Sequence, residues 1–237
     1  MIRNRNINHD NHYNEDGHYY ISISDLMTSL LFIFILILAY MMLSFVEKKE
    51  QLNREIKKLE SNLETRTNLL HLLQNELLEK NINVNIDTKN GNMRLKSDLL
   101  FESGSATISS EGVKQINILA NILVNALKEE KYLQSIDTVF IEGHTDDVPF
   151  SANNKYHWTN KELSAQRAIN TFMQMNRATN NEISLLKNIN QKSLFSYSGY
   201  AETRPLCLEK NKACRDKNRR IEFYFSVNTP EINKRDK

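Results

Sequence analysis

Thr138-Val139-Phe140-Ile141-Glu142-Gly143-His144-Thr145-Asp146-Asp147 decides how this chain folds. Its first half, Thr138 to Gly143, is a β-branched and aromatic run of the kind that makes a buried strand. Its second half turns polar at once. The strand therefore ends by delivering an imidazole and two carboxylates to one edge of the sheet it joins.

Working outward, strand and helix patterns alternate. Upstream, Ser109 or Ser110 can cap a helix whose apolar positions are Val113, Ile116, Leu119, Ala120, Ile122, Leu123 and Leu127. Before it, Val84-Asn85-Ile86-Asp87, the turn signal Asn90-Gly91 and Met93-Arg94-Leu95 read as a hairpin. Downstream, a second helix runs from about Lys161 to Met175, with Leu163, Ala168, Ile169 and Phe172 on one face. Leu194–Tyr200 and Ile221–Val227 close the pattern as strands. The order β-β-α-β-α-β-β predicts an α+β domain, an α/β sandwich of helices on one sheet, over residues 81–229, with a tail at 230–237.

The N-terminal third is different in kind. Leu26–Val46, LMTSLLFIFILILAYMMLSFV, carries no charge. At the helical rise it is about 30 Å long, the thickness of a bilayer's hydrocarbon core. It is too long for a signal-peptide core, and Tyr40-Met41-Met42-Leu43 stands where a small-residue cleavage site would be. We read a single transmembrane helix over 21–46, preceded by a polar, Asn- and His-rich tail at 1–20 that is expected to be disordered.

Residues 47–80 form a linker with an a/d heptad seam: Leu52, Ile56, Leu59, Leu63, Arg66, Leu70, Leu73 and Leu77. Two readings fit. The seam pairs with a second copy as a parallel coiled coil, with Arg66 weakening or registering it, or the helix lies on its own globular domain. The strict period favours the homodimer.

Composition narrows the function classes. The chain has 237 residues, a net charge of +2, and only 6 Gly and 3 Pro. No basic cluster is interleaved with aromatics, which argues against nucleic acid. No serine, cysteine or histidine stands in a nucleophile's context, so an enzyme is not expected, nor a cofactor. His144, Asp146 and Asp147 lie too close together, without a distant ligand, to argue for a metal. The two cysteines, Cys207 and Cys214, either pair in an oxidising compartment or remain free thiols. Arg3 and Arg5 precede the span, whereas Lys48, Lys49, Arg54, Lys57 and Lys58 follow it. Charge bias alone would place the C-terminal part in the cytoplasm.

Asp25 borders the span. A carboxylate at mid-membrane costs roughly 2.5–3.5 kcal/mol, so it is capped, neutralised or used. Aspartate is a favoured helix N-cap, and that role needs no ion pathway. Thr28 and Ser29 follow it, and Thr28 can hydrogen-bond the carboxylate or a passing water.

Five segments, in order, carry a resemblance. They are Leu100-Phe101-Glu102-Ser103-Gly104-Ser105-Ala106, Ile141 to Asp147, Asn160-Lys161-Glu162-Leu163-Ser164-Ala165-Gln166-Arg167-Ala168, Gly199-Tyr200-Ala201-Glu202-Thr203-Arg204-Pro205, and Asn218-Arg219-Arg220-Ile221-Glu222. Together they resemble the OmpA-like peptidoglycan-binding domains. The resemblance implies that the diaminopimelate of a wall stem peptide is the ligand. Asp146 would take its ammonium and Arg167 its carboxylate, with Thr145, Asn160 and Leu163 lining the pocket. Without a ligand, Asp146 and Arg167 would be read as a surface salt bridge. Arg219 and Arg220 fit either the carboxylate side of the site or a structural ion pair.

Ser22-Ile23-Ser24-Asp25-Leu26-Met27-Thr28-Ser29-Leu30-Leu31-Phe32 resembles the ion-carrying helix of MotB-type stator subunits, and more closely that of the ZorB family of Zorya anti-phage systems. This chain lacks the tryptophan and Ala-Tyr-Ala that usually precede the flagellar aspartate. The resemblance implies Asp25 and Thr28 as the ion-carrying residues for H⁺ or Na⁺. It also implies a MotA/ZorA-type multi-span channel partner, an N-terminus in the cytoplasm, an inner-membrane span and a periplasmic C-terminal domain. Flagellar stator subunit and passive wall-to-membrane tether are the alternatives.

Overall fold

The computed structural model describes residues 13–102, 104–150 and 158–229, with side chains from residue 23 onward. The chain divides into two compact units, Met1–Glu55 and Ile56–Lys237. Helix α1, Tyr13–Glu79, contributes to both.

In the first unit α1 carries the apolar span, and every residue of Leu26–Val46 except Ser44 is exposed. A helix apolar on all sides with nothing packed on it has lipid as its natural solvent. The disordered tail expected at 1–20 is corrected here, because the backbone is helical from Tyr13. Once the span has nucleated, each added residue contributes a hydrogen bond without a new nucleation cost, so polar residues can extend the helix. Residues 1–12 lie outside the described part, as does the tail at 230–237.

In the second unit, the rest of α1 lays one face on a sheet. Leu69, Leu70, Leu73 and Leu77 are fully buried in the domain core. Arg66 donates to the carbonyls of Thr88 and Lys89 at 3.2 and 3.1 Å, and Asn62 to that of Asn228 at 2.8 Å. This corrects the coiled-coil reading for half of the seam. Leu70, Leu73 and Leu77 face their own sheet, and Arg66 anchors the helix to it rather than interrupting a dimer contact. The physical reason is area: burying each leucine is worth about 1.5–3 kcal/mol, and the domain's own core is always within reach. Leu52, Ile56 and Leu63 remain exposed.

The domain then runs β1 (Asn85–Asp87), β2 (Asn92–Lys96), α2 (Ser97–Leu100), α3 (Ser110–Leu127), α4 (Glu130–Ser135), β3 (Ile136–His144), α5 (Asn160–Ala178), α6 (Glu182–Leu185), β4 (Phe195–Ala201), α7 (Lys212–Asn218) and β5 (Arg220–Val227). The sheet order is β1-β2-β5-β3-β4, with β3 and β4 parallel and every other pairing antiparallel. This is the expected α+β order with short helices added. Ser109 caps α3 by accepting from the Gly112 amide, and Thr159 and Glu162 form a capping box on α5.

One close approach positions the site. Gly143 of β3 pairs with Gly199 of β4. A Cβ on Gly143 would lie 2.0 Å from the Ser164 carbonyl oxygen, and one on Gly199 would lie 2.3 Å from the Ala165 amide nitrogen. The paired glycines form a saddle that lets the start of α5 rest on the strands. Ser164, fully buried, secures it by accepting from the Ala201 amide at 3.0 Å.

Candidate functional site

Beyond His144 the chain leaves the sheet, and an open cleft of about 840 Å³ forms around the strand end. All five residues expected there, Thr145, Asp146, Asn160, Leu163 and Arg167, line it. Their tasks differ. Asn160, at the start of α5, accepts from the Phe150 amide at 3.1 Å and donates to the Val148 carbonyl at 3.0 Å. It pins the loop that follows Asp146. Thr145 is buried and donates to the Asp146 carbonyl at 3.1 Å.

Asp146 accepts from the Val148 amide at 3.1 Å and from Arg219 Nη1 at 2.7 Å. Arg219 is the residue whose role the sequence left open, and it belongs to this cleft. Its guanidinium also pairs with Asp98 at 2.8 Å and with Asp216. Hydrogen bonds to Asp98, then to Asp146, push its pKa above the ordinary arginine value. Three carboxylates therefore surround the Arg219 guanidinium, and Lys212 and Arg215 line the same cleft beside them.

Arg167 faces it alone. Its Nε donates to the Ser105 carbonyl at 2.9 Å and its guanidinium lies 5.1 Å from the Phe101 ring centre. It makes no ion pair among the described residues. Burial pushes its pKa down to about 10, which leaves it charged at neutral pH. The surface salt bridge between Asp146 and Arg167 is thus not what forms: each keeps its own surroundings across the cleft. A carboxylate-rich wall opposite a single desolvated fork is complementary to a zwitterion.

His144 and Arg220 lie elsewhere. They line a second cavity of about 600 Å³ with Arg94, Glu142, Tyr200, Arg204 and Glu222. Arg220 pairs with Glu222 at 2.6 Å, and Arg94 reaches the same carboxylate at 3.0 Å. His144 is 1% exposed, stacks on Tyr200, and lies 3.5 and 3.7 Å from Glu142 and Glu222. Burial pushes its pKa below the usual value.

Asp98 and Asp216 were not foreseen. Asp98 directly precedes the Leu99-Leu100-Phe101 run, but nothing in its spacing marks it as facing a residue so distant in the chain. Cys207 and Cys214 form a disulfide.

In the first unit, Asp25 lies roughly three turns inside α1, so it is not an N-cap. Its side chain makes no hydrogen bond or ion pair among the described residues. Thr28 does not bond the carboxylate as expected: its hydroxyl donates to the carbonyls of Asp25 and Ser24 at 2.9 and 3.0 Å. Ser29 likewise donates to the Asp25 carbonyl at 2.8 Å. Hydroxyls in an apolar helix satisfy themselves on the preceding turn.

Comparison with known proteins follows this geometry. Over 151 residues the chain is 29% identical to motility protein B of Bacillus subtilis (strain 168), covering 63% of this chain and 50% of the relative. It is 25% identical over 190 residues to motility protein B of Helicobacter pylori (strain ATCC 700392 / 26695), covering 79% of this chain and 64% of the relative. Over these stretches the chain is similar to MotB proteins. A crystal structure of a MotB-like protein from Desulfovibrio vulgaris superposes with a TM-score of 0.54 at 22% identity, covering 73% of this chain and 99% of that one, which shows the shared fold. No family model matches. The chain thus spans between half and two thirds of the curated relatives it matches. Among the described residues, one helix is long and apolar enough to cross a membrane.

Proposed function

We propose that this chain is a stator-type subunit that holds a membrane motor to the cell wall. The observation that carries the reading is the cleft, in which Arg167 has no ion-pair partner among the described residues and lies opposite Asp146 and its acidic neighbours. Diaminopimelate presents one ammonium and one carboxylate, and such a cleft supplies a partner for each. Asp146→Ala and Arg167→Ala variants of the full chain should lose retention on purified peptidoglycan. Retention equal to the parent would remove the wall-binding assignment.

Asp25 is the ion carrier in this reading. It lies inside the helix, next to an apolar span, and no described side chain pairs with it, which leaves H⁺ or Na⁺ as its counterion in this reading. One charge crossing 100 mV releases about 2.3 kcal/mol, enough to bias a two-state contact with a MotA/ZorA-type partner at each step. Two copies would associate through the first half of the seam, exposed Leu52, Ile56 and Leu63 with half-buried Leu59. Asp25→Asn should assemble with the partner yet conduct no ions, and unchanged conduction would sink the carrier role.

The Ser-Asp-Leu-Met context supports a defence motor of the ZorB type. The motility proteins among its relatives support a flagellar stator instead. Expression with the neighbouring membrane subunit separates them: phage protection without restored swimming indicates defence, and restored swimming indicates the flagellum.

A further inference from the structure

The loop from β4 to β5 is more than a connection. It contains α7, seven residues long, which is too short to be stable by itself. Yet α7 and the residue that follows it build one side of the cleft, because Lys212, Arg215, Asp216 and Arg219 all line it. What holds this short helix in place therefore shapes the site.

Three local devices do so. Asn211 caps the helix by accepting from the Cys214 amide at 2.8 Å. Asn218, at its end, accepts from the amides of Leu206 and Cys207 at 2.9 and 3.1 Å and donates to the Cys207 carbonyl at 2.8 Å. The Cys207–Cys214 disulfide then ties the first turn of α7 to the segment that Asn218 grips. Cys214 is 1% exposed, so the bond is set into the fold on the α7 side. From α7, Arg215 reaches Asp147 at 2.7 Å, and Arg219 reaches Asp146 at 2.7 Å.

We infer that the Cys207–Cys214 disulfide positions the acidic wall of the cleft, so that the cleft binds a zwitterionic amino-acid terminus fully only when this pair is oxidised. Besides the Val148 amide, Arg219 is what orients the Asp146 carboxylate. Arg219 is itself held from α7, by its amide on the Arg215 carbonyl and by Asp216, as well as by Ser97 and Asp98 outside it. Forming the bond removes two electrons and two protons from the thiols. A disulfide-bearing oxidant accepts them and becomes a dithiol. Such oxidants persist outside the cytoplasm, so the site would be completed after the domain has left the reducing compartment. The ligand class rests on the wall-binding reading above, whereas the positioning role does not.

The test uses the full chain in detergent micelles, oxidised or reduced with a phosphine, and the tripeptide L-Ala-γ-D-Glu-meso-diaminopimelate as probe. Calorimetric titration should show affinity weakened by about fivefold or more on reduction, equivalent to about 1 kcal/mol, and restored on reoxidation. The double variant Cys207→Ser, Cys214→Ser should bind as weakly as the reduced chain and ignore the phosphine. Equal affinity in both redox states overturns the inference. Hydrogen exchange of the same samples gives an answer that needs no ligand. Faster exchange after reduction should spread from 206–214 through 215–219 to 144–148, and a change confined to 206–214 overturns the inference. If the oxidised chain binds no tripeptide but exchange spreads in this way, the ligand assignment fails and the positioning role stands.

Discussion

Two charged cavities flank the end of the same strand, and they differ in how completely their charges are paired. Around His144, Arg220 and Arg94 converge on Glu222. Across the strand end, Arg167 has no carboxylate partner among the described residues, while Asp146, Asp98 and Asp216 share Arg219. In the first cavity the arginines are matched to carboxylates, and it is the His144 ring that finds no hydrogen-bond partner among the described residues. In the second, a buried arginine faces a cluster of carboxylates across an open cleft. Equal burial of charge therefore does not mean equal pairing.

Stability separates the two most sharply. Arg220→Leu strands the buried Glu222 carboxylate on one side and should destabilise the domain by about 3–5 kcal/mol in urea unfolding. Arg167→Gln removes one hydrogen bond to a carbonyl and should cost only about 1 kcal/mol. Comparable losses in the two variants would erase the distinction.

Acidification should act through the cavity around His144. The folded chain holds His144 below its ordinary value of 6.5, against Glu142 on its own strand, Glu222 and Arg220 on β5, Tyr200 on β4, and Arg204 beyond it. In the window between the lowered folded value and 6.5, the unfolded chain binds a proton that the folded chain does not. Stability should be full above this window and fall as pH drops through it, with a slope of at most about 1.4 kcal/mol per pH unit. Unfolding curves of His144→Gln collected across the same range should lose this component, and an unchanged slope would remove His144 as its source.

The smallest effect belongs to the exposed Asp147–Arg215 pair at the cleft rim. Arg215 holds the Asp147 carboxyl below the usual carboxylate range. Solvent screens the pair, so the melting temperature of Arg215→Ala should match the parent. A clear fall would place α7 among the elements that hold the domain together.

Much of this was legible in the order of residues. The β-branched and aromatic run Thr138–Gly143 and the cap at Ser109 report local preferences, so the element order could be read. Asp146 and Arg167 could be placed at one end of the sheet because α5 is the helix that follows β3 in the chain. The harness on Arg219 could not be read in full: Asp216 is a local neighbour three residues back, but Asp98 meets it only once β2 and β5 are neighbours in the sheet. The heptad seam misled for a related reason. A 3.5-residue stripe shows that one face of a helix is apolar, not which surface covers it, and Leu70, Leu73 and Leu77 are covered by their own domain. Asp25 looked like a possible cap because the polar residues before it carry no periodicity, yet the helix passes through them.

The central claim is that Arg167 and Asp146 are opposed in order to receive a zwitterion. Calorimetric titration of the oxidised full chain with the diaminopimelate tripeptide, alongside Arg167→Lys and Asp146→Asn, tests it most directly. Lysine keeps the charge but loses the fork, and asparagine keeps the shape but loses the charge. Each variant should bind at least about tenfold more weakly than the parent, a loss of about 1.4 kcal/mol, with the fold intact. Affinities within about twofold of the parent for both variants would contradict the account.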